Sequence, residues 1–193
     1  ENPNLNKKAT ADTIPGDNLY EHLRAFIHIG EGAGKIVNDI MRAISVHNIS
    51  QAMELDFTSN EDSRLKHLKV IENSTFEGAT YEFEMVISDG SNKGLQIFWN
   101  RSPIVGVAIL RPYNINRTGT AIEDSSAMFR IDYSEAGSGN YTHTMTVSIS
   151  GLNLPSALEE PYAMKTLKMF VGKNGNNIDV YGNSNHPNAK FYT

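Results

Sequence analysis

Apolar positions recur at two different spacings along the chain, and the change of spacing divides it into two parts. From Leu19 the apolar or small residues fall at Leu23, Phe26, Ile27, Gly30, Ala33, Val37, Ile40, Met41 and Ile44. Steps of three and four draw one stripe along a helix. The pattern predicts a long helix over residues 17–45, with Asp17 as its cap after Pro15-Gly16. Gly30, Gly32 and Gly34 interrupt the stripe. Each glycine costs up to ~1 kcal/mol relative to alanine in a helix interior. The helix is therefore expected either to kink there or to approach a neighbour closely.

After Ser50 the period becomes two. Met53, Leu55 and Phe57 alternate with Glu54 and Asp56; Tyr81, Phe83, Met85 and Ile87 alternate with Glu82 and Glu84. Leu95, Ile97 and Trp99 follow, then Phe129, Ile131 and Tyr133. His143, Met145, Val147 and Ile149 alternate with Thr142, Thr144, Thr146 and Ser148, and Leu167, Met169, Val171, Ile178 and Val180 continue the series. Such alternation describes strands with one buried and one wet face, as in antiparallel sheets. Ile104 to Leu110 is apolar throughout, which predicts a central strand covered on both faces.

Asp89-Gly90 and Asn174-Gly175 mark hairpin turns, Asn100-Arg101-Ser102-Pro103 marks another, and Glu135 to Asn140 reads as a longer loop. Pro112 to Gly119 and Leu154 to Pro161 are connectors, the second with room for one helical turn; Gly182 to Asn188 reads as irregular tail. The expected fold class is α+β: an N-terminal long helix packed on a strongly curved, mainly antiparallel meander sheet, half-barrel or barrel, of roughly eight to ten strands. The expected domain organisation is a polar tether over 1–16 and one domain over 17–193, its sheet spanning 51–182.

Composition narrows the function classes. The 193 residues suit one domain. A net charge of -5 argues against nucleic acid as a partner and against a polybasic membrane patch. No cysteine is present, which removes disulfides, thiolate metal sites and cysteine nucleophiles. The chain starts at Glu1 with a polar stretch, the start expected after signal removal, so an extracytoplasmic location is expected.

The segment Gly30-Glu31-Gly32-Ala33-Gly34-Lys35 has neither the phosphate-loop spacing nor the Ser/Thr that must follow the lysine, and it fails the dinucleotide pattern as well. Six histidines are present without the spacing that holds zinc, so neither a metal nor a cofactor is expected. No catalytic motif is legible, and no catalytic residue is assigned. Glu82 and Glu84 read as a wet strand face rather than an acid/base pair. His143 shares its face with Met145 and Val147 and reads either as a satisfied core residue or as a polar group lining a cavity. Trp99, Tyr113, Tyr133, Tyr141 and Phe98 are aromatic candidates for a cavity mouth, and Arg101, Arg111 and Arg117 are candidates for an anion-receiving cluster. Trp99, Tyr133 and His143 are the candidate ligand-binding residues.

A polar, Asn-rich start, one helix and a cysteine-free antiparallel meander give a chain that resembles uncharacterised exported lipoproteins of Bacteroidetes-type bacteria. The helix-then-meander order is similar to lipoprotein-carrier half-barrels. The resemblance implies a ligand held between sheet and helix, and membrane attachment only through a lipid anchor upstream of Glu1. The leading expectation is a non-enzymatic extracytoplasmic binding module for a lipid-like, apolar or amphipathic ligand. The alternative is a cell-surface assembly protein with a cell-envelope partner and no pocket; the third is a small barrel-type enzyme.

Overall fold

A computed structural model describes residues 16–46, 49–117, 126–152, 165–185 and 190–192, with helix side chains from Ile27 onward. Helix α1 (Gly16–Val46) precedes strands β1 (Met53–Thr58), β2 (Leu65–Phe76), β3 (Ala79–Asp89), β4 (Asn92–Arg101) and β5 (Ile104–Leu110). A short helix α2 (Pro112–Ile115) follows, then β6 (Met128–Ser134), β7 (His143–Ser150), β8 (Leu167–Asn174), β9 (Asn177–Ser184) and β10 (Lys190–Tyr192). The tether at 1–15, His47, His186, the connector 154–161 and the helix side chains before Ile27, His22 among them, lie outside the described residues.

The strands form one ten-stranded sheet in sequence order, every neighbour antiparallel. This is the α+β meander that the alternation predicts. It does not close: β1 and β10 are its two edges, and the barrel alternative is not realised. The sheet also runs beyond the expected limit at residue 182. The supposed tail, Gly182 to Asn188, contains the end of β9, and a further strand follows it, whose Lys190 pairs with Asn183.

The glycine triplet neither splits nor ends α1, which runs unbroken through it. Gly30 sits over Met169, where a Cβ would come within 3.2 Å of the sulfur, while Gly32 and Gly34 have open space at that position. Gly30 therefore serves close approach of helix to sheet. Ala33 is buried, and Ile29, Ile36, Val37, Ile40 and Ile44 pack on the same core. The sheet contributes Val70, Phe83, Met85, Ile97, Ala108, Ile131, Val147, Ile149, Leu167 and Met169 to it. Val147, Ile131 and Val70 are at most 1% exposed, so the core is sealed from solvent at β7, β6 and β2 alike.

Strand β5 is buried on both faces from Val107 to Leu110. Ala108 and Leu110 face α1 with the main core. On the opposite face Val107 lies beside Phe98, whose ring stacks on Phe76 at 4.4 Å. Phe76 reaches that position because Asn73 adopts φ 57° in the middle of β2 and breaks the alternation. Beyond it Ser74 bonds Glu84 on the face away from the helix, and Tyr81 lies 5.7 Å from Phe98. Tyr81 thus leaves the face it was expected to share with Phe83.

Lys66 is a buried cation at the end of the sheet. It is 3% exposed and donates to Asp62 at 2.7 Å and to Asp89 at 3.1 Å. Arg64 forks onto Asp89 through Nε and a terminal nitrogen. The backbone N–H of Arg117 donates to Asp62 at 3.2 Å. Hydrogen bonds from Arg64, then Lys66, hold the Asp89 carboxyl well below the usual carboxylate range. The hydrogen bond from Lys66 also lowers the Asp62 carboxyl.

Candidate functional site

The inner face of the sheet is wider than α1, and the space beside the helix is a cleft. Val37, Ile40, Met41 and Ile44 form its roof; Ile97, Trp99, Ala108, Ile131 and Tyr133 belong to its floor. Its volume is about 140 Å³. That is room for about five waters at roughly 30 Å³ each, well beyond a packing defect. The lining is almost wholly apolar. Gly106 helps to make it, because it pairs with Trp99 across β4 and β5 and offers no side chain there. A Cβ at Gly106 would lie 2.6 Å from the Phe98 carbonyl oxygen.

A wider recess of about 380 Å³ continues along the helix, lined by Val37, Asn38, Met41, Tyr133, His143 and Met145 among others. Val37, Met41 and Tyr133 line both spaces. The two therefore form one groove from the end of β4 towards β9.

The three candidate residues lie along this groove. Trp99 is 3% exposed and stacks on Phe83 at 5.2 Å. Its indole N–H is buried and has no hydrogen-bond acceptor among the described residues. Tyr133 sits at the junction and donates to Glu135 at 3.1 Å; burial, then the charge of Glu135, pushes its phenol up to about 12. His143 is half-buried in the wider recess, its Nδ1 3.0 Å from Thr142 Oγ1.

The other candidates disperse. Phe98 turns its ring to the opposite face, and Tyr141 packs there against Phe170 at 5.5 Å. Tyr113 lies under the Arg117 guanidinium. The arginines do not cluster. Arg101 ends β4, whereas Arg111 and Arg117 flank α2 at the far end of β5. Glu82 and Glu84 serve neighbours rather than chemistry: Glu82 accepts from Arg101 Nε at 2.7 Å, and Glu84 accepts from Ser74 and Gln96. That ion pair holds the Glu82 carboxyl below its ordinary range. The described residues contain no group of His, Asp and Glu side chains arranged for a metal.

Sequence reasoning singled out Arg101 only as a member of the arginine cluster. It stands at the rim of the cleft, half-exposed, with its guanidinium 4.8 Å from the centre of the Phe83 ring. Its position two residues after Trp99 on the same strand face is the signal that would have placed it there.

Fold and site together define an α+β domain whose helix roofs an apolar groove on an open antiparallel meander. The chain matches no protein-family model, no curated protein and no solved structure.

Proposed function

We propose that this protein is a non-enzymatic binding module whose ligand, apolar or amphipathic, lies in the groove between α1 and a curved inner face of the sheet. One observation carries the reading. The cleft is open, almost wholly apolar in lining and roofed by a single helix. A soluble chain leaves such apolar surface uncovered at a cost of roughly 25 cal/mol per Å², which a bound apolar group recovers. Few, well-placed polar groups in an apolar recess are the usual composition of small-molecule sites. An extracytoplasmic setting with an upstream lipid anchor belongs to the same proposal and rests on the sequence resemblance alone.

Trp99 is the sole tryptophan, so its fluorescence reports on the cleft without a label. Titration with a monomeric twelve-carbon amphiphile is expected to give a saturable change in Trp99 emission. The Val37→Phe variant, filling the groove from the half-buried helix side, is expected to lose at least about tenfold in affinity while keeping the native circular dichroism spectrum. No saturable change in the parent protein, by fluorescence or calorimetry, sinks the proposal.

One observation favours a second reading, an assembly protein. Edge strand β1 leaves Met53 and Leu55 36% and 39% exposed, beside Leu65 at 64%. An exposed, partly apolar edge is a template for strand addition. A concentration-dependent dimer in analytical ultracentrifugation, lost in Leu55→Lys, is the result that reading expects.

A further inference from the structure

Two donors without a partner among the described residues belong to the β4 end of the groove. Trp99 and Arg101 are two residues apart on one strand, so their side chains leave the same face about 7 Å apart at the backbone. The Trp99 N–H is buried without an acceptor. Arg101 commits Nε and its backbone N–H to Glu82, while its terminal guanidinium nitrogens have no hydrogen-bond partner among the described residues. The guanidinium is held in place over Phe83, which in turn stacks on Trp99. The hydroxyl of Tyr133 is taken up by Glu135.

From this we infer that the groove selects amphiphiles with a carboxylate head. The head group accepts from Arg101 at the rim, and the apolar tail runs under α1 towards Tyr133. This rests on the binding role proposed above and adds the head-group chemistry to it. A planar guanidinium with two free terminal nitrogens matches the two oxygens of a carboxylate. A cationic head there meets the like charge of Arg101, and the carboxylate of Glu82 is already held by that guanidinium. Trp99 is closed off from water, so its N–H lies out of reach of the head group. Arg101 is therefore the group that meets the head first.

The test compares three monomeric twelve-carbon probes by isothermal titration calorimetry: dodecanoate, dodecanol and dodecyltrimethylammonium. Dodecanoate is expected to bind at least tenfold tighter than the cationic probe. Arg101→Gln is expected to erase that preference while leaving dodecanol within about twofold. Glu82→Gln removes the competing carboxylate and is expected to tighten dodecanoate several-fold, a gain that damage to the fold would not produce. If all three probes bind equally, the head-group assignment falls and the apolar groove stands. If dodecanoate keeps its preference in Arg101→Gln, Arg101 is not the anchor. If no probe binds, the binding role itself is wrong and this inference goes with it.

Discussion

Trp99→Phe is expected to be far cheaper than a buried tryptophan substitution usually is. Trp99 is only 3% exposed, and its N–H has no acceptor among the described residues. A buried donor left unmade costs about 1–3 kcal/mol, and phenylalanine removes that donor. Against this stand two losses. The ring is smaller by roughly 40 Å³, and at ~24 cal/mol per Å³ an uncollapsed gap of that size costs about 1 kcal/mol. The apolar area lost is worth about another 1 kcal/mol. The sum lies within about 1 kcal/mol of zero. Phe98→Leu is the control. Phe98 is 2% exposed, has no polar atom and stacks on Phe76 at 4.4 Å. That substitution deletes less volume, yet with the lost ring pair it should cost about 2 kcal/mol. Urea unfolding followed by far-ultraviolet circular dichroism measures both without the tryptophan signal. If Trp99→Phe costs as much as Phe98→Leu or more, the indole N–H is satisfied in solution and the reasoning from the orphan donor is refuted.

Further outcomes follow from the ion cluster and from Gly106. The Asp89 and Asp62 carboxyls are held below their ordinary value of about 4, so they contribute stability that is complete above that pH and disappears as pH falls through their folded values. Thermal unfolding should therefore be steeply pH-dependent below about pH 4, and the deficit of Asp89→Asn relative to the parent should shrink there; a deficit constant from pH 7 to pH 2 contradicts the assignment. Lys66→Ala leaves two buried carboxylates facing each other without their shared cation, and should cost about 3–5 kcal/mol in urea. Gly106→Ala drives a methyl into the Phe98 carbonyl and should destabilise by about 1–3 kcal/mol, whereas Gly32→Ala on the open side of α1 should be neutral or stabilising.

The fold was legible wherever one face of a strand is wet. β7 announces itself through four threonine and serine positions set against His143, Met145, Val147 and Ile149. β2 does not, although at 12 residues it is the longest strand. Two local exceptions hide it. Lys66 is buried on the core side because Asp62 and Asp89 neutralise it there, so a charged residue occupies an inward position. Asn73 then reverses the alternation with a positive φ. Neither carboxylate partner is adjacent in sequence to the position it satisfies, and no periodicity rule anticipates that. β10 is three residues long, too short for any period to register. The groove was half legible. Parity alone puts Trp99 and Tyr133 on the inner face and sends Phe98 outward. Parity also carries the row on to Arg101, two residues after Trp99, but Asn100-Arg101-Ser102-Pro103 reads as a turn, and that reading hid it.

The groove itself follows from a mismatch of widths. Ten strands at about 4.8 Å apart span roughly 43 Å if laid flat. A helix covers a stripe about 10 Å across, and α1 with its 31 residues is about 46 Å long. Aligned across the strands it would touch all of them thinly; aligned with them it would cover two or three. In either case the inner apolar row on β4 to β7 exceeds what one helix can cover. Bulky residues on α1 would narrow the difference, but at Gly30, Ala33 and Gly34 the sequence places small ones, and Gly30 brings the helix down onto Met169. Close contact over β8 is obtained while space is left beside Trp99 and Tyr133. Leucine at Gly30 should therefore lift the helix from β8 and reshape the groove. If Gly30→Leu leaves both Trp99 emission and probe affinity unchanged, the groove is set by the sheet alone and the helix is not its roof.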